Sequence, residues 1–278
     1  MSVPVLGFTS ELAKAGGRIA REHFATVKDQ DISMKGSRDY VSHVDRQIEA
    51  ELVRRIKARF PDHQILGEES SPGTITAEEF QPHTPLWIID PIDGTTNFLH
   101  GIPVFAVSIA LVENGSPRYA AIYDPIQDEL FTAERNAGVW LNSERRYCSS
   151  CNDIGKALVA TAIPCRFPQV HDDAFLVFNQ VQRACDDHRR SGSAALDMAY
   201  VAVGRLDAYY ELGIYPWDTA AGELLVRCGG GVATDLTGST EDLIRRRSMV
   251  CAATQPLHTT LLSMASPLAP WLERAPFA

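Results

Sequence analysis

Three short stretches of this 278-residue chain place carboxylates where an apolar segment ends. Asp90 closes the run Leu86-Trp-Ile-Ile-Asp90, and Asp93 follows within the turn Pro91-Ile-Asp-Gly-Thr-Thr96. Asp218 comes just after Pro216-Trp217, at the predicted N-cap of a helix, and Glu68 and Glu69 end a strand around Leu66-Gly67. Each has an ordinary structural account on its own, because Asp caps helices, Asp-Gly makes turns and a Glu at a strand end is solvated. Together they lie at the ends of buried elements, where side chains from distant segments converge. Convergent carboxylates repel unless protons or cations intervene. Oxygen-only ligands suit a hard cation, and magnesium also bridges phosphate oxygens well. Two such ions can generate a hydroxide nucleophile and stabilise a leaving oxygen. Gly94-Thr95-Thr96 adds backbone donors with little bulk, a phosphate cradle if a helix starts there.

The elements that must position these groups are legible from periodicity. Two amphipathic helices open the chain, the second marked by Val44, Ile48, Leu52, Ile56 and Phe60 at intervals of four. Pro61-Asp62 ends it, 64–67 reads as a short strand, and 71–85 is an exposed loop. The run ending at Asp90 has the pattern of a buried strand that stops at Pro91. Strands are expected over 105–112, 119–123, 130–133 and 139–141, with turn residues between them, which predicts an antiparallel meander. Further strands are expected over 158–163, 207–212 and 249–253. Helices are expected over 172–185, 193–203, 218–228 and 258–264, the third stopping at Gly229-Gly-Gly231. This order predicts stacked layers of helices and sheets rather than a simple βαβ series.

Composition narrows the function. Hydrophobic residues make up 45% and charged residues 22%, ordinary values for a globular enzyme. A net charge of -9 argues against direct nucleic-acid binding, and Arg245-Arg-Arg247, the dense basic run, reads as a solvated loop or helix end. That acidic balance suits an enzyme for phosphates if some of the acids hold divalent cations, which reverse the local field. The N-terminus lacks the pattern of a secretory signal, and no stretch is apolar for long enough to span a bilayer. The six cysteines include the pair Cys148 and Cys151, with no second pair or histidines at zinc-site spacing. They read as reduced thiols in a surface turn of a cytoplasmic protein. His43 reads as a surface histidine at a helix start.

Three blocks make a family resemblance specific: Gly67-Glu-Glu-Ser70, Trp87-Ile-Ile-Asp-Pro-Ile-Asp-Gly-Thr-Thr-Asn-Phe98 and Trp217-Asp-Thr-Ala-Ala-Gly222. They resemble the signature blocks of the inositol monophosphatase family. Lys35-Gly-Ser, Tyr123-Asp-Pro, Glu129-Leu-Phe-Thr-Ala, Arg190-Ser-Gly-Ser-Ala-Ala-Leu-Asp197 and Ala221-Gly-Glu-Leu-Leu-Val-Arg227 extend the resemblance, the last two toward the bacterial extragenic-suppressor type. It runs over nearly the whole chain, outside only the first few residues and the tail after about Pro267.

The resemblance implies an α/β layered αβαβα sandwich over 1–278, in two tightly packed halves of approximately 1–145 and 146–278. It implies a magnesium-dependent, lithium-inhibited phosphomonoesterase for inositol-1-phosphate, with two or three ions. Glu68 and Asp90, with the Ile92 carbonyl, would hold the first metal; Asp90, Asp93 and Asp218 the second. Thr95, oriented by Asp45, would position the attacking water with help from Glu68, and Gly94 and Thr95 amides would hold phosphate. Asp93, Ala194, Glu211 and Asp218 would meet the alcohol hydroxyls. Threonine is usual before the Asp45 position in the family; this chain has Val41-Ser-His-Val-Asp45, in which Ser42 keeps a hydroxyl. The expected partners are the small phosphomonoester, a second copy in a homodimer, and transcription antitermination factors, with neither nucleic acid nor membrane contacted directly. Histidinol phosphate, 3'-phosphoadenosine phosphate and fructose bisphosphate are the competing substrates.

Overall fold

The computed structural model describes residues 4–26, 32–36, 39–69 and 74–274, with side chains described outside 32–42. Ser37 and Ser70 of the resemblance blocks therefore lie outside the described residues, as does the Ser42 side chain. Helix α1 (Val5–His23) buries Phe8, Leu12, Ala13 and Ala20 along one face. Strands β1 (Ile32–Gly36) and β2 (Asp39–Ser42) then form an antiparallel hairpin, which the sequence reading missed. Helix α2 (His43–Arg59) buries Val44, Ile48, Leu52 and Ile56, as the four-residue spacing requires. Phe60 falls just past its end, with its N–H still on the Ile56 carbonyl at 2.7 Å.

A seven-stranded sheet follows from β3 (Gln64–Gly67), β4 (Leu86–Asp93), β5 (Ala106–Glu113), β6 (Ser116–Asp124), β7 (Glu129–Glu134), β8 (Gly138–Leu141) and β9 (Glu144–Arg146), with the short helix α3 (Thr95–Leu99) between β4 and β5. The strands lie in chain order, β3 and β4 parallel and the rest antiparallel, so the expected meander is present with one more strand. Strand β4 does not stop at Pro91. Its register slips between Asp90, opposite Ser108, and Asp93, opposite Ala106, so three steps on β4 match two on β5. Proline lacks the ladder N–H, and a bulge is where a strand tolerates it.

The second sheet takes β10 (Leu158–Thr161), helix α4 (His171–Ala184), β11 (Asp187–Arg189), α5 (Ala194–Ala202), β12 (Ala208–Leu212), α6 (Pro216–Cys228), β13 (Val232–Thr234), β14 (Ser248–Ala252) and α7 (Gln255–Ala265). Its strand order is β11-β10-β12-β14-β13.

Side-chain parity shows how the layers stack, because successive residues of a strand face opposite sides. Ile65, Trp87 and Ile89 pack with α1 and α2, whereas Leu66, Leu86 and Ile88 pack with α5 and α6. In the second sheet Tyr209, Met249 and Cys251 face α5 and α6, while Ala208, Tyr210 and Val250 face α4 and α7. The result is the layered αβαβα sandwich, with α5 and α6 as its middle layer. No helix among the described residues is long and apolar enough to cross a membrane.

Two charged features depart from expectation. Arg246 is buried and ion-paired to the equally buried Glu223 at 2.5 Å, and Arg247 lies over the Tyr215 ring, so only Arg245 of the basic run is a solvated charge. Cys148 is half-buried against the glycine turn after α6, where a Cβ on Gly229 or Gly231 would come within 2.9 Å of its sulfur. The six cysteines are free thiols, and His43 is exposed at the start of α2, as expected.

Candidate active site

The bulge in β4 creates the centre. In a regular strand, residues three apart face opposite sides; the extra residue turns Asp93 back toward the side of Asp90. Carboxylate oxygens of Asp90, Asp93 and Asp218 then lie within 4.8 Å of one another. Asp90 Oδ1 accepts the Ile92 N–H at 2.9 Å, which ties the bulge to its own side chain.

Asp218 arrives on α6. That helix begins at Pro216, where the missing N–H costs no intrahelical bond. Asp218 is therefore not the N-cap but stands one turn in, its Oδ2 accepting the Tyr215 N–H at 2.6 Å. The carboxylate also sits at the positive end of the helix dipole.

Asp93 is held from the other half of the chain. Its Oδ2 accepts the hydroxyl of Ser193 and the N–H of Ala195 at 2.8 Å. Ser193 also caps α5 by accepting the Leu196 N–H at 3.3 Å, so one hydroxyl starts the helix and fixes Asp93. Asn97 adds a strap, its Nδ2 donating to Val104 O at 2.8 Å and Ser191 O at 2.9 Å. The close approach explains Gly192 (φ 89°), where a Cβ would lie 2.8 Å from Asn97 Nδ2.

Thr95, first residue of α3, has its hydroxyl 3.0 Å from Ile92 O and 3.3 Å from Asp45 Oδ1. Asp45 is fully buried in the first turn of α2. Val44 beside it is core, so the apolar residue there supports the helix and leaves Asp45 on Thr95. Glu68 follows β3. Its segment rests on Glu49, which accepts the Glu69 N–H at 2.8 Å.

Glu68, Asp90, Ile92, Asp93, Gly94, Thr95, Ala194, Glu211 and Asp218 all line one cleft of about 570 Å³, and Asp45 lies behind Thr95 rather than in the wall. Sequence reasoning missed three contributors. Ser193 holds Asp93, Asn97 joins the halves, and Asp197 enters the cleft from the otherwise apolar start of α5. Asp197 carried a usable signal, a carboxylate inside Ala-Ala-Leu-Asp-Met-Ala.

The electrostatics are those of charge that the fold does not itself neutralise. Burial holds the Asp90 carboxyl well above the usual range, and Glu68, Asp93 and Asp218 push it the same way. Burial raises Asp93 to about 6, against the bonds from Ser193 and Ala195. Glu211 rises to about 7 by burial, although it accepts the Tyr209 hydroxyl at 2.6 Å. Burial likewise lifts Asp197, whose Oδ1 is buried with no hydrogen-bond partner among the described residues.

The architecture and this cleft define a layered α/β protein built around a buried carboxylate centre. The Inositol monophosphatase family profile matches residues 2–267. The chain is 44% identical over 240 residues to the Nus factor SuhB of Vibrio cholerae, covering 86% of this chain and 87% of that protein. The extragenic suppressor protein suhB from Bartonella henselae superposes with a TM-score of 0.85 at 37% identity, over 94% of this chain and 98% of that one. The inositol monophosphatase from Anabaena gives 0.82 at 32% identity, over 96% and 98%. The chain belongs to the inositol monophosphatase family, a family of phosphatases.

Proposed function

We propose that the chain is a magnesium-dependent phosphomonoesterase that hydrolyses inositol-1-phosphate to inositol and phosphate. The observation that carries this is the convergence of the Asp90, Asp93 and Asp218 carboxylates, beside the Thr95–Asp45 contact, in one cleft. The donor set fits the metal, because the oxygens are hard and buried and carry more negative charge than the fold compensates. Glu68, Asp90 and the Ile92 carbonyl would hold one ion, Asp90, Asp93 and Asp218 another, with room in the reading for a third. Bound there, magnesium would neutralise phosphate charge and make a water acidic enough to attack.

The chain's own residues do the positioning. The single Thr95 proton is shared between the Ile92 carbonyl and Asp45, which leaves its lone pairs to take a hydrogen bond from the attacking water. Glu68, on the cleft wall, would help Thr95 to position that water. Gly94 and Thr95 lie where β4 ends and α3 starts, and their amides would donate to phosphate oxygens. Asp93, Ala194, Glu211 and Asp218 would face the alcohol hydroxyls, and the cleft is large enough for a cyclitol phosphate.

Phosphate release from inositol-1-phosphate, histidinol phosphate, 3'-phosphoadenosine phosphate and fructose bisphosphate, each with magnesium and with chelator, tests the reading. Chelator-sensitive release fastest on inositol-1-phosphate is expected. Faster magnesium-dependent release from another of them would keep the chemistry and change the substrate; no release from any would remove it. Lithium inhibition and a homodimer in sedimentation belong to the same reading. A second role in the cytoplasm, as a partner of transcription antitermination factors, is supported by the name of the Vibrio cholerae relative, a Nus factor. Pull-down of transcription factors by the catalytically dead D93N variant would separate that role from turnover.

A further inference from the structure

A second cleft, of about 400 Å³, opens where the turns of β6–β8 meet the C-terminal end of α6, and arginines dominate its charge. Arg135, Arg145 and Arg227 line it, and Glu223 is the carboxylate in its wall. Glu223 is already engaged, by Arg227 at 2.7 Å and by the buried Arg246 at 2.5 Å. It has no charge left for the other two arginines.

Arg135 is fixed without a counter-ion. Its Nε and Nη2 donate to the carbonyls of Ser116 and Pro117, which leaves the Nη1 N–H groups without a protein acceptor among the described residues. The Arg145 side chain makes no hydrogen bond or ion pair among the described residues, and its guanidinium faces the Tyr147 ring at 5.5 Å. The guanidinium lies close on the backbone of Gly138, where a Cβ would come within 3.2 Å of Arg145 Cζ, and Gly138 has φ 146°. Glycine there is what lets the guanidinium lie against the turn. The carbonyls at the end of α6 would repel an anion, but they are occupied: Gly229 N–H bonds Leu225 O at 2.9 Å, and Gly231 N–H bonds Val226 O at 3.0 Å.

In a chain of net charge -9, two guanidiniums without carboxylate partners in one concave site are a local reversal of sign. Guanidinium forks match phosphate oxygens in pairs. We infer that this cleft is a second binding site for a small phosphorylated metabolite, separate from the carboxylate cleft. The two sites lie at opposite ends of α6, whose 13 residues span about 20 Å. Asp218 is near one end and Arg227 near the other.

Isothermal titration of the full chain with inorganic pyrophosphate in excess chelator tests this without metal or turnover, so the result is independent of the phosphatase reading. Wild-type protein should bind at one site, more weakly as salt rises. Arg145→Gln should weaken binding by about tenfold, the loss of one charge-assisted pair, while Arg190→Gln, on the wall of the carboxylate cleft, should leave it unchanged. Arg145 is exposed and its side chain holds no hydrogen bond among the described residues, so its variant keeps the wild-type fold, which its circular dichroism melt checks. Absence of binding to wild type, or equal binding by R145Q, overturns the proposal. Binding lost in R190Q and kept in R145Q also overturns it, by moving the anion to the carboxylate cleft.

Discussion

Two demands meet at Asp93. Its carboxylate accepts the Ser193 hydroxyl and the Ala195 N–H, and it shares a 4.8 Å neighbourhood with two other carboxylates. In Asp93→Asn the amide oxygen still accepts from α5, so the fold survives, while one charge leaves the cluster. Turnover should fall by more than about 100-fold, because even the partners of metal ligands cost about 10–100-fold when removed. The melting temperature gives a readout beside activity. Metal-free D93N should melt no lower than metal-free wild type, since carboxylate repulsion is relieved, and magnesium should raise its melting temperature less. Equal magnesium stabilisation of the two proteins would remove Asp93 from the ligand set. His188 shows the opposite sign of charge. Its ring stacks on Phe178 at 4.6 Å, both its nitrogens are buried without partners among the described residues, and burial pulls it from an ordinary 6.5 to about 4. A depressed histidine favours folding fully above pH 6.5, and that contribution fades as pH falls toward 4. His188→Phe should flatten this part of the stability–pH curve and add about 1 kcal/mol at pH 7 by removing unmet polar atoms. Thermal melts from pH 4 to 8 read both effects; parallel curves for the two proteins would count against the buried neutral ring.

At the scale of elements, one amide straps the halves together beside the Ser193–Asp93 bond. Asn97 on α3 donates to Val104 O and to Ser191 O, which is 94 residues away in sequence. Asn97→Ala strands two acceptors and should cost about 1–2 kcal/mol in urea denaturation. Asn97→Asp, though isosteric, presents only acceptors to those carbonyls and should cost more. An N97D protein as stable as wild type would show that the strap does not hold the halves. The sequence made the meander, α2 and α4 to α7 readable, because apolar period and turn residues agreed there. It hid the features that depend on partners. The bulge at Pro91 appears only when β5 is laid beside β4, and the three-residue strands β9, β11 and β13 are too short to carry a pattern. Asp90, Asp93 and Asp218 were visible as charges ending apolar runs, whereas Ser193 and Asn97 act through contacts about 90 to 100 residues away in sequence. Arg246 looked solvated because its partner Glu223 lies 23 residues earlier in the chain.

For the whole molecule, the middle layer decides whether the halves are separable. Helices α5 and α6 come from the second half, yet they pack on Leu66, Ile88, Ala110 and Phe131 of the first sheet as well as Tyr209 and Met249 of the second. Pulling the halves apart would expose both faces of that layer, and each large apolar side chain contributes about 1.5–3 kcal/mol when buried. Neither half alone covers Leu224, Leu225 or Val226 of α6 on all sides. We propose that the two halves unfold as one cooperative unit. Tryptophans make this measurable: Trp87 is fully buried under α1, and Trp271 bonds Asp173 of α4 at 2.8 Å. In variants keeping only Trp87 or only Trp271, the urea fluorescence transitions should each coincide with loss of helical circular dichroism. A Trp271 transition at lower urea than the helical loss, with Trp87 still native, would mean that the second half comes away first. In that case Asp218 and Ser193 would leave the centre while Asp90 and Asp93 stayed folded. Activity would then vanish at the first transition, before the seven-stranded sheet unfolds.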